Sequence, residues 1–223
     1  VAAVSASSTH SLGLRSDGKV YAAGQNSYGQ CDTGSWHDIV AIAAGESASF
    51  GLRADGTIEA CGNVEYYMDE ISSWENIRAI TVAPSRSGVF GLDEEGNIHC
   101  AGFWEDMPQI TGWEDVEWIS CGTLQGMALI GLRENGSLVR AQLEEDSFGH
   151  FVGVENWTGM QQFCANTPAL GVRRDGTAVF LESADSKLKE TLRTWTNLEA
   201  LSSAYIFDQL LVFGLCEDGT ILE

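Results

Sequence analysis

A six-residue pattern, Gly-apolar-x-x-(acidic or Asn)-Gly, occurs six times in 223 residues. The copies are GLRSDG from Gly13, GLRADG from Gly51, GLDEEG from Gly91, GLRENG from Gly131, GVRRDG from Gly171 and GLCEDG from Gly214. They lie 38, 40, 40, 40 and 43 residues apart. A second marker keeps step with the first. Trp36, Trp74, Trp113, Trp157 and Trp195 are followed three residues later by Ile39, Ile77, Val116, Met160 and Leu198 respectively. Two markers sharing one period demand a repeat architecture, one supersecondary unit copied along the chain.

Each unit reads as three strands. In the second copy, Ile39–Gly45 alternates with small residues and makes strand A, Ala48–Ala54 makes strand B, and Thr57–Gly62 makes strand C. Asp55-Gly56 between B and C, like Asp17-Gly18 before it, reads as a two-residue type I′ hairpin turn, where Asp or Asn tolerates positive φ. The six turn residues Asp17, Asp55, Glu95, Asn135, Asp175 and Asp218 are therefore turn chemistry and not a ring of catalytic carboxylates. A connection of ten to sixteen residues leads on to the next Trp. No segment at the markers holds a helical period, and only 185–195, DSKLKETLRTW, reads as a short helical turn. Antiparallel units of this length, rich in Gly and Trp, are blades of an all-β propeller. The expected organisation is one domain over 1–223, with units near 1–38, 39–76, 77–115, 116–159, 160–197 and 198–223. Six blades closing on themselves, or seven with one outside this chain, both fit; whole units at both ends favour six.

Residues 13–31, GLRSDGKVYAAGQNSYGQC, closely resemble the RCC1-type repeat, in which L-x-x-D-G leads into V-Y-A-x-G-x-N-x-x-G-Q. His10-Ser11-Leu12 also matches that family's lead into strand B. The resemblance runs the length of the chain and fades along it. Asn63 lacks the Gly-Gln that should follow, and Gln142 and Glu182 replace the strand-C glycine. It implies a propeller, seven-bladed in family members, several of which bind other proteins through loops on one face. One branch promotes nucleotide exchange on a small GTPase, and another inhibits β-lactamases.

Asp and Glu number 32 against 12 Lys and Arg, a formal charge of −20. Such a surface repels phosphate backbones and anionic lipid, so the expected partner is a protein, a basic one suiting the charge best, and not nucleic acid. No apolar run reaches the length of a membrane span, so no membrane insertion is expected. The chain starts at Val1 with no signal-peptide pattern, which reads as a processed chain or a piece of a longer one. The six cysteines have no C-x-x-C spacing and mostly replace small residues of sister repeats, as Cys61 replaces Ala23 and Cys121 replaces Ala44. They read as small buried hydrophobes, which leans towards a reducing, cytoplasmic setting, although an extracytoplasmic fragment also fits. His10, His37, His99 and His150 fall at unrelated places in the repeat and build no triad or ligand set. The acidic runs 93–95 and 144–146 lack the alternation and central Gly of a calcium loop. No catalytic residue, metal site or cofactor is expected, and the chain is not read as an enzyme.

Strand parity separates the loops. The B–C turns emerge at one end of each unit, and the A–B loops and the residues after strand C at the other. The first set is short and uniform. The second varies in length and carries aromatics: Tyr28, Tyr66, Tyr67, Phe103, Trp104, Phe148 and Phe151 after strand C, with Tyr205 and Phe207 in the last A–B loop. Met68, Met107, Leu124 and Gln125 accompany them. Aromatic and Met side chains among acidic ones have the make-up of a protein-binding surface. A non-enzymatic protein-binding module is the leading expectation, and a glycan- or small-ligand-binding propeller the alternative. The five periodic tryptophans, and Trp118 in a strand A, are expected to pack inward.

Overall fold

A computed structural model describes residues 2–65, 67–83, 88–102, 110–122, 128–142, 153–165, 169–180, 186–206 and 209–223. The chain forms two compact units, Val1–Glu114 and Asp115–Glu223. The first contains three antiparallel sheets: β1 (Ala3–Ala6), β2 (His10–Leu14) and β3 (Val20–Gly24); β4 (Ile39–Ala44), β5 (Ala48–Arg53) and β6 (Ile58–Gly62); β7 (Ile77–Val82), β8 (Val89–Asp93) and β9 (Ile98–Ala101). A one-turn helix, α1 (Met68–Ile71), lies between β6 and β7. The second unit contains β10 (Val116–Gly122), β11 (Ala128–Arg133) and β12 (Leu138–Gln142); β13 (Met160–Cys164), β14 (Leu170–Arg173) and β15 (Ala178–Phe180); β16 (Leu198–Ile206), β17 (Gln209–Cys216) and β18 (Ile221–Leu222). Helix α2 (Ser186–Thr194) precedes β16 and is longer than the single turn read from the sequence. Each sheet falls within one sequence repeat, and the six are the three-stranded blades of the all-β propeller class.

The hairpin turns differ from expectation. Gly18 N–H donates to the Arg15 carbonyl at 3.1 Å and Arg15 N–H to the Lys19 carbonyl at 2.9 Å. The loop thus holds three residues, a tight turn closed by a glycine in the left-handed region. Gly18, Gly56, Gly96, Gly136, Gly176 and Gly219 carry positive φ, while the Asp or Asn before them does not. The acidic residue acts through its side chain instead. Asp55 Oδ1 accepts the Thr57 N–H at 3.0 Å and its hydroxyl at 2.6 Å, and Asp175 does the same for Thr177. In the third sheet Glu95 stands at that place, and Asp93 supplies the carboxylate, accepting from the N–H groups of Glu95 and Asn97.

Each joint between sheets inside a unit is built alike. Leu12, Leu14 and Val20 of the first sheet pack against Trp36, Ile39 and Ala44 of the second. Phe50 and Leu52 then meet Trp74, Ile77 and Ile80 of the third. In the second unit Ile130, Leu132 and Leu138 meet Trp157, Met160 and Phe163, and Leu170 and Val172 meet Trp195, Leu198 and Leu201. In three repeats the leading Trp also packs closely against its own motif glycine. A Cβ on Gly51 would come within 2.9 Å of the Trp36 ring, and one on Gly91 or Gly214 within 2.9 Å of Trp74 or Trp195. The five periodic tryptophans are all buried, as expected.

Trp118 is a correction: it is exposed. Strand A shifts register in every sheet from the second onward, as a β-bulge does; in β10 the shift falls between Val116 and Trp118. The bulge turns both Glu117 and Trp118 outward, and Ile119 takes the buried position.

Candidate functional site

The loops at the end opposite the B–C turns are built from short polar segments tied to one another. Gly24 turns the chain out of β3 with φ of 127°, where a Cβ would come within 2.6 Å of the Thr9 carbonyl oxygen. The Gln25 N–H donates to that same carbonyl at 3.0 Å. Asn26 then organises the loop. Its side-chain amide donates to Asp32 Oδ1 at 2.9 Å, and its side-chain oxygen accepts the Cys31 N–H at 2.7 Å. Tyr28 N–H donates to Gln30 Oε1 at 3.0 Å. The Tyr28 ring, 60% exposed, thus stands on a backbone fixed by side chains on both flanks. Exposed Asp32 and Glu46 lie in the same loops.

A buried polar chain underlies this end of the first two sheets. His10 Nε2 lies 2.7 Å from Ser49 Oγ, and the Ser49 hydroxyl donates to the Gln30 carbonyl at 2.7 Å. Burial lowers the pKa of His10, so its imidazole is neutral at pH 7. Because Ser49 spends its proton on Gln30, His10 donates from Nε2, and Nδ1 faces the Ser7 and Thr9 hydroxyls at 3.1 Å each. The Thr9 hydroxyl donates to the Glu46 carbonyl at 2.6 Å and ties the two A–B loops together. A serine beside a histidine has the outline of a nucleophile–base pair, yet Ser49 is fully buried and its proton is directed at a backbone carbonyl. The pair locks loops in place. Sequence spacing alone missed it, because His10 and Ser49 sit on different repeats; a histidine where the next repeat has Ala48 was the available signal.

Tyr67 is the second correction. It is 2% exposed, with its ring 6.4 Å from that of Phe50. Its N–H donates to the Val64 carbonyl at 2.9 Å, so the connection turns back at the start of α1 and delivers the ring into the joint between the second and third sheets. Its neighbour Met68 is exposed beside Asp69 and Glu70. Tyr66, Phe103, Trp104, Phe148, Phe151 and Phe207 lie outside the described residues, as do Met107, Leu124 and Gln125. The backbone of Tyr205 belongs to β16, and its side chain is outside the description. Among the expected contact residues, the described structure therefore presents Tyr28 on the surface.

Two further features concern chemistry. Asp93 and His99 pair at 2.8 Å through Oδ2 and Nε2, and the His99 ring lies 5.6 Å from that of Trp74. Burial would raise the Asp93 carboxyl, but hydrogen bonds from His99 and Asn97 outweigh it and hold the group below the usual carboxylate range. All six cysteines are free. Burial pushes the Cys61 thiol up to about 11 and the Cys100 thiol up to about 12. Among the described residues no three His, Cys, Asp or Glu side chains gather as metal ligands would, and no helix is long and apolar enough to cross a membrane.

Residues 1–30 match the family described as the Regulator of chromosome condensation (RCC1) repeat. The sequences of curated proteins return no match. Among solved structures, the computationally designed Ika8 protein superposes with a TM-score of 0.52 at 13% identity, over 98% of this chain and 68% of that one. Prp20p of Saccharomyces cerevisiae, in a study of its binding properties to Gsp1p and histones, gives 0.48 at 17% identity, over 98% and 56%. Yeast RCC1 (Prp20) bound to Kap60 gives 0.46 at 15%, over 69% and 45%. In these two yeast comparisons the match spans about half the length of the similar chain.

Proposed function

We propose that this chain, whose first repeat is an RCC1 repeat and whose later ones keep its two markers, is a non-enzymatic protein-binding module. Its contact surface is the end formed by the A–B loops and the segments after strand C. The observation that carries the reading is the Tyr28 loop. An exposed aromatic side chain on a backbone already fixed by Asn26, Gln30 and Asp32 loses little conformational freedom on binding. Tyr is among the residue types that dominate interface energetics. Asp32 and Glu46 around it, on a chain of net charge −20, suit a partner with a basic surface. Tyr66, Phe103, Trp104, Phe148 and Phe151 after the other strands C extend this surface in the proposal.

The test is capture of partners from lysate and secretome of the source organism on immobilised wild type, Tyr28→Ala and Asp17→Ala. Asp17 lies in a turn at the opposite end of the same sheet. Loss of a captured protein with Tyr28→Ala and its retention with Asp17→Ala is the expected pattern. Equal capture by all three sinks the assignment of this face, and clear saccharide hits on a glycan array would replace protein binding with sugar binding.

A further inference from the structure

Cys31 and Cys61 belong to different repeats, yet the first unit brings them to one place. Cys61 lies in β6, cross-strand from Ser49 of β5, and both side chains turn to the segment that follows β3. The Ser49 hydroxyl donates to the Gln30 carbonyl at 2.7 Å, and the Cys61 thiol points at the same oxygen from 3.5 Å. The Asp32 N–H also lies against Cys61 Sγ. The Gln30 carbonyl and the Asp32 N–H are the backbone groups on either side of Cys31, so the Cys61 sulfur sits over the Cys31 backbone. The main chains approach closely here too: a Cβ on Gly62 would come within 3.1 Å of Gln30 Cα. Cys31 and Cys61 are the residues next to these two along the chain. Cys31 Sγ reaches back to the Gln25 carbonyl at 3.3 Å.

The repeat marks the pair as an addition. Ala23, Ala101 and Ala141 occupy the register position of Cys61 in the first, third and fourth sheets. Alanine therefore suffices for packing at that place, and of these four sheets the one that carries a thiol there has another cysteine facing it. Both thiols are free and half-buried.

We propose that Cys31 and Cys61 are a disulfide-forming pair, which joins the segment carrying Tyr28 to β6 when the protein meets a small disulfide such as glutathione disulfide. The Cys31 thiolate attacks one glutathione sulfur, forming a mixed disulfide and expelling one glutathione thiolate. The Cys61 thiolate then attacks the Cys31 sulfur, forming the Cys31–Cys61 bond and expelling the second glutathione. Two protein thiols are oxidised, one glutathione disulfide is reduced to two glutathione thiols, and the two protons pass to them. Bond formation takes a change of the Cys31 χ1 rotamer, which releases the Gln25 carbonyl; the backbones are already adjacent, as a disulfide needs. Burial pushes the Cys61 thiol up to about 11, and burial together with the Asp32 charge raises that of Cys31. Thiols raised in this way ionise rarely, so the bond forms slowly. As poor leaving groups they also make the finished bond hard to reduce. The pair is thus a lasting brace and not a rapid sensor. The bond does not depend on the role given to Tyr28.

The test incubates the native protein with glutathione disulfide at mildly alkaline pH, blocks remaining thiols with N-ethylmaleimide and maps the digest by mass spectrometry. The expected product joins the Cys31 and Cys61 peptides and leaves the other cysteines as thiols. Hydrogen exchange of residues 25–32 should slow about tenfold. The urea midpoint of the first unit should rise by about 1 M, and both effects should vanish after dithiothreitol. Cys61→Ala, which installs the side chain of the sister sheets, should fold, stop at a glutathione adduct on Cys31 and show neither effect. Cys100→Ala should keep the link. A wild-type protein that stops at the Cys31 adduct, scrambles its pairs or keeps all its thiols overturns the proposal. So does a Cys31–Cys61 link that leaves both exchange and midpoint unchanged, since it braces nothing.

Discussion

The turn glycines carry two burdens that one matched pair of substitutions separates. Gly176 and Gly219 lie in the same unit, at equivalent turns, with φ of 76° and 83°. Alanine at either position suffers the left-handed conformation, about 1–2 kcal/mol. Against this stands roughly 0.4–1 kcal/mol from a less flexible unfolded chain. Gly219→Ala should therefore cost about 1 kcal/mol or less, because its Cβ enters open space. Gly176→Ala adds a collision with Asn197 Cα at 2.9 Å, Asn197 N at 3.0 Å and Leu198 N at 3.1 Å. These are backbone atoms that cannot rotate away, and overpacking of this sort costs about 1–3 kcal/mol more. With a urea slope of about 2 kcal/mol/M, the midpoint of the second unit should fall by about 1–2 M for Gly176→Ala and by about 0.5 M or less for Gly219→Ala. Urea titrations followed by far-ultraviolet circular dichroism give both numbers. Equal shifts would show that backbone conformation alone selects glycine here, and the account of the joints would fail.

Three further outcomes follow from particular side chains. Asp93→Asn keeps the shape but removes the charge that His99 and two N–H groups face, and should cost about 1–2 kcal/mol at pH 7. Because the native carboxyl is held below its unfolded value, that stability is present above about pH 4 and is lost as pH falls through the native value; urea titrations of wild type and variant should show a gap that narrows as pH falls below about 4, and a gap undiminished there refutes the pairing. Tyr67→Ala empties a core position and should cost roughly 3–5 kcal/mol, lowering the melting temperature by on the order of 10 °C, where a surface contact residue would leave melting unchanged. Cys61 and Cys100, with thiols raised by burial, should resist iodoacetamide at pH 7.5 in the native protein and react in urea; peptide mass spectrometry showing equal native and denatured rates would contradict their placement.

The repeat, its strands and its class were legible in the amino-acid sequence because they depend on local chemistry. Period-two patterning, turn glycines and a recurring Trp need only neighbours along the chain to be read. Strand C of the second repeat starts at Ile58, one residue later than its pattern suggests, and strand A stops at Ala44. The face assigned to the variable loops followed from strand parity, and the position of Tyr28 could be read the same way.

What the tertiary structure decided concerns contacts between repeats, which no single repeat encodes. Tyr66 and Tyr67 are indistinguishable as a sequence pair, and only the return of the chain at α1 places Tyr67 against Phe50. Trp118 looks like its buried sisters until a bulge shifts its parity. His10 and Ser49 meet across 39 residues. The motif glycines show the division most plainly. Their recurrence is written in the sequence, but the reason for it, an indole over Gly51 and a neighbouring backbone over Gly56, exists only when one sheet lies against the next.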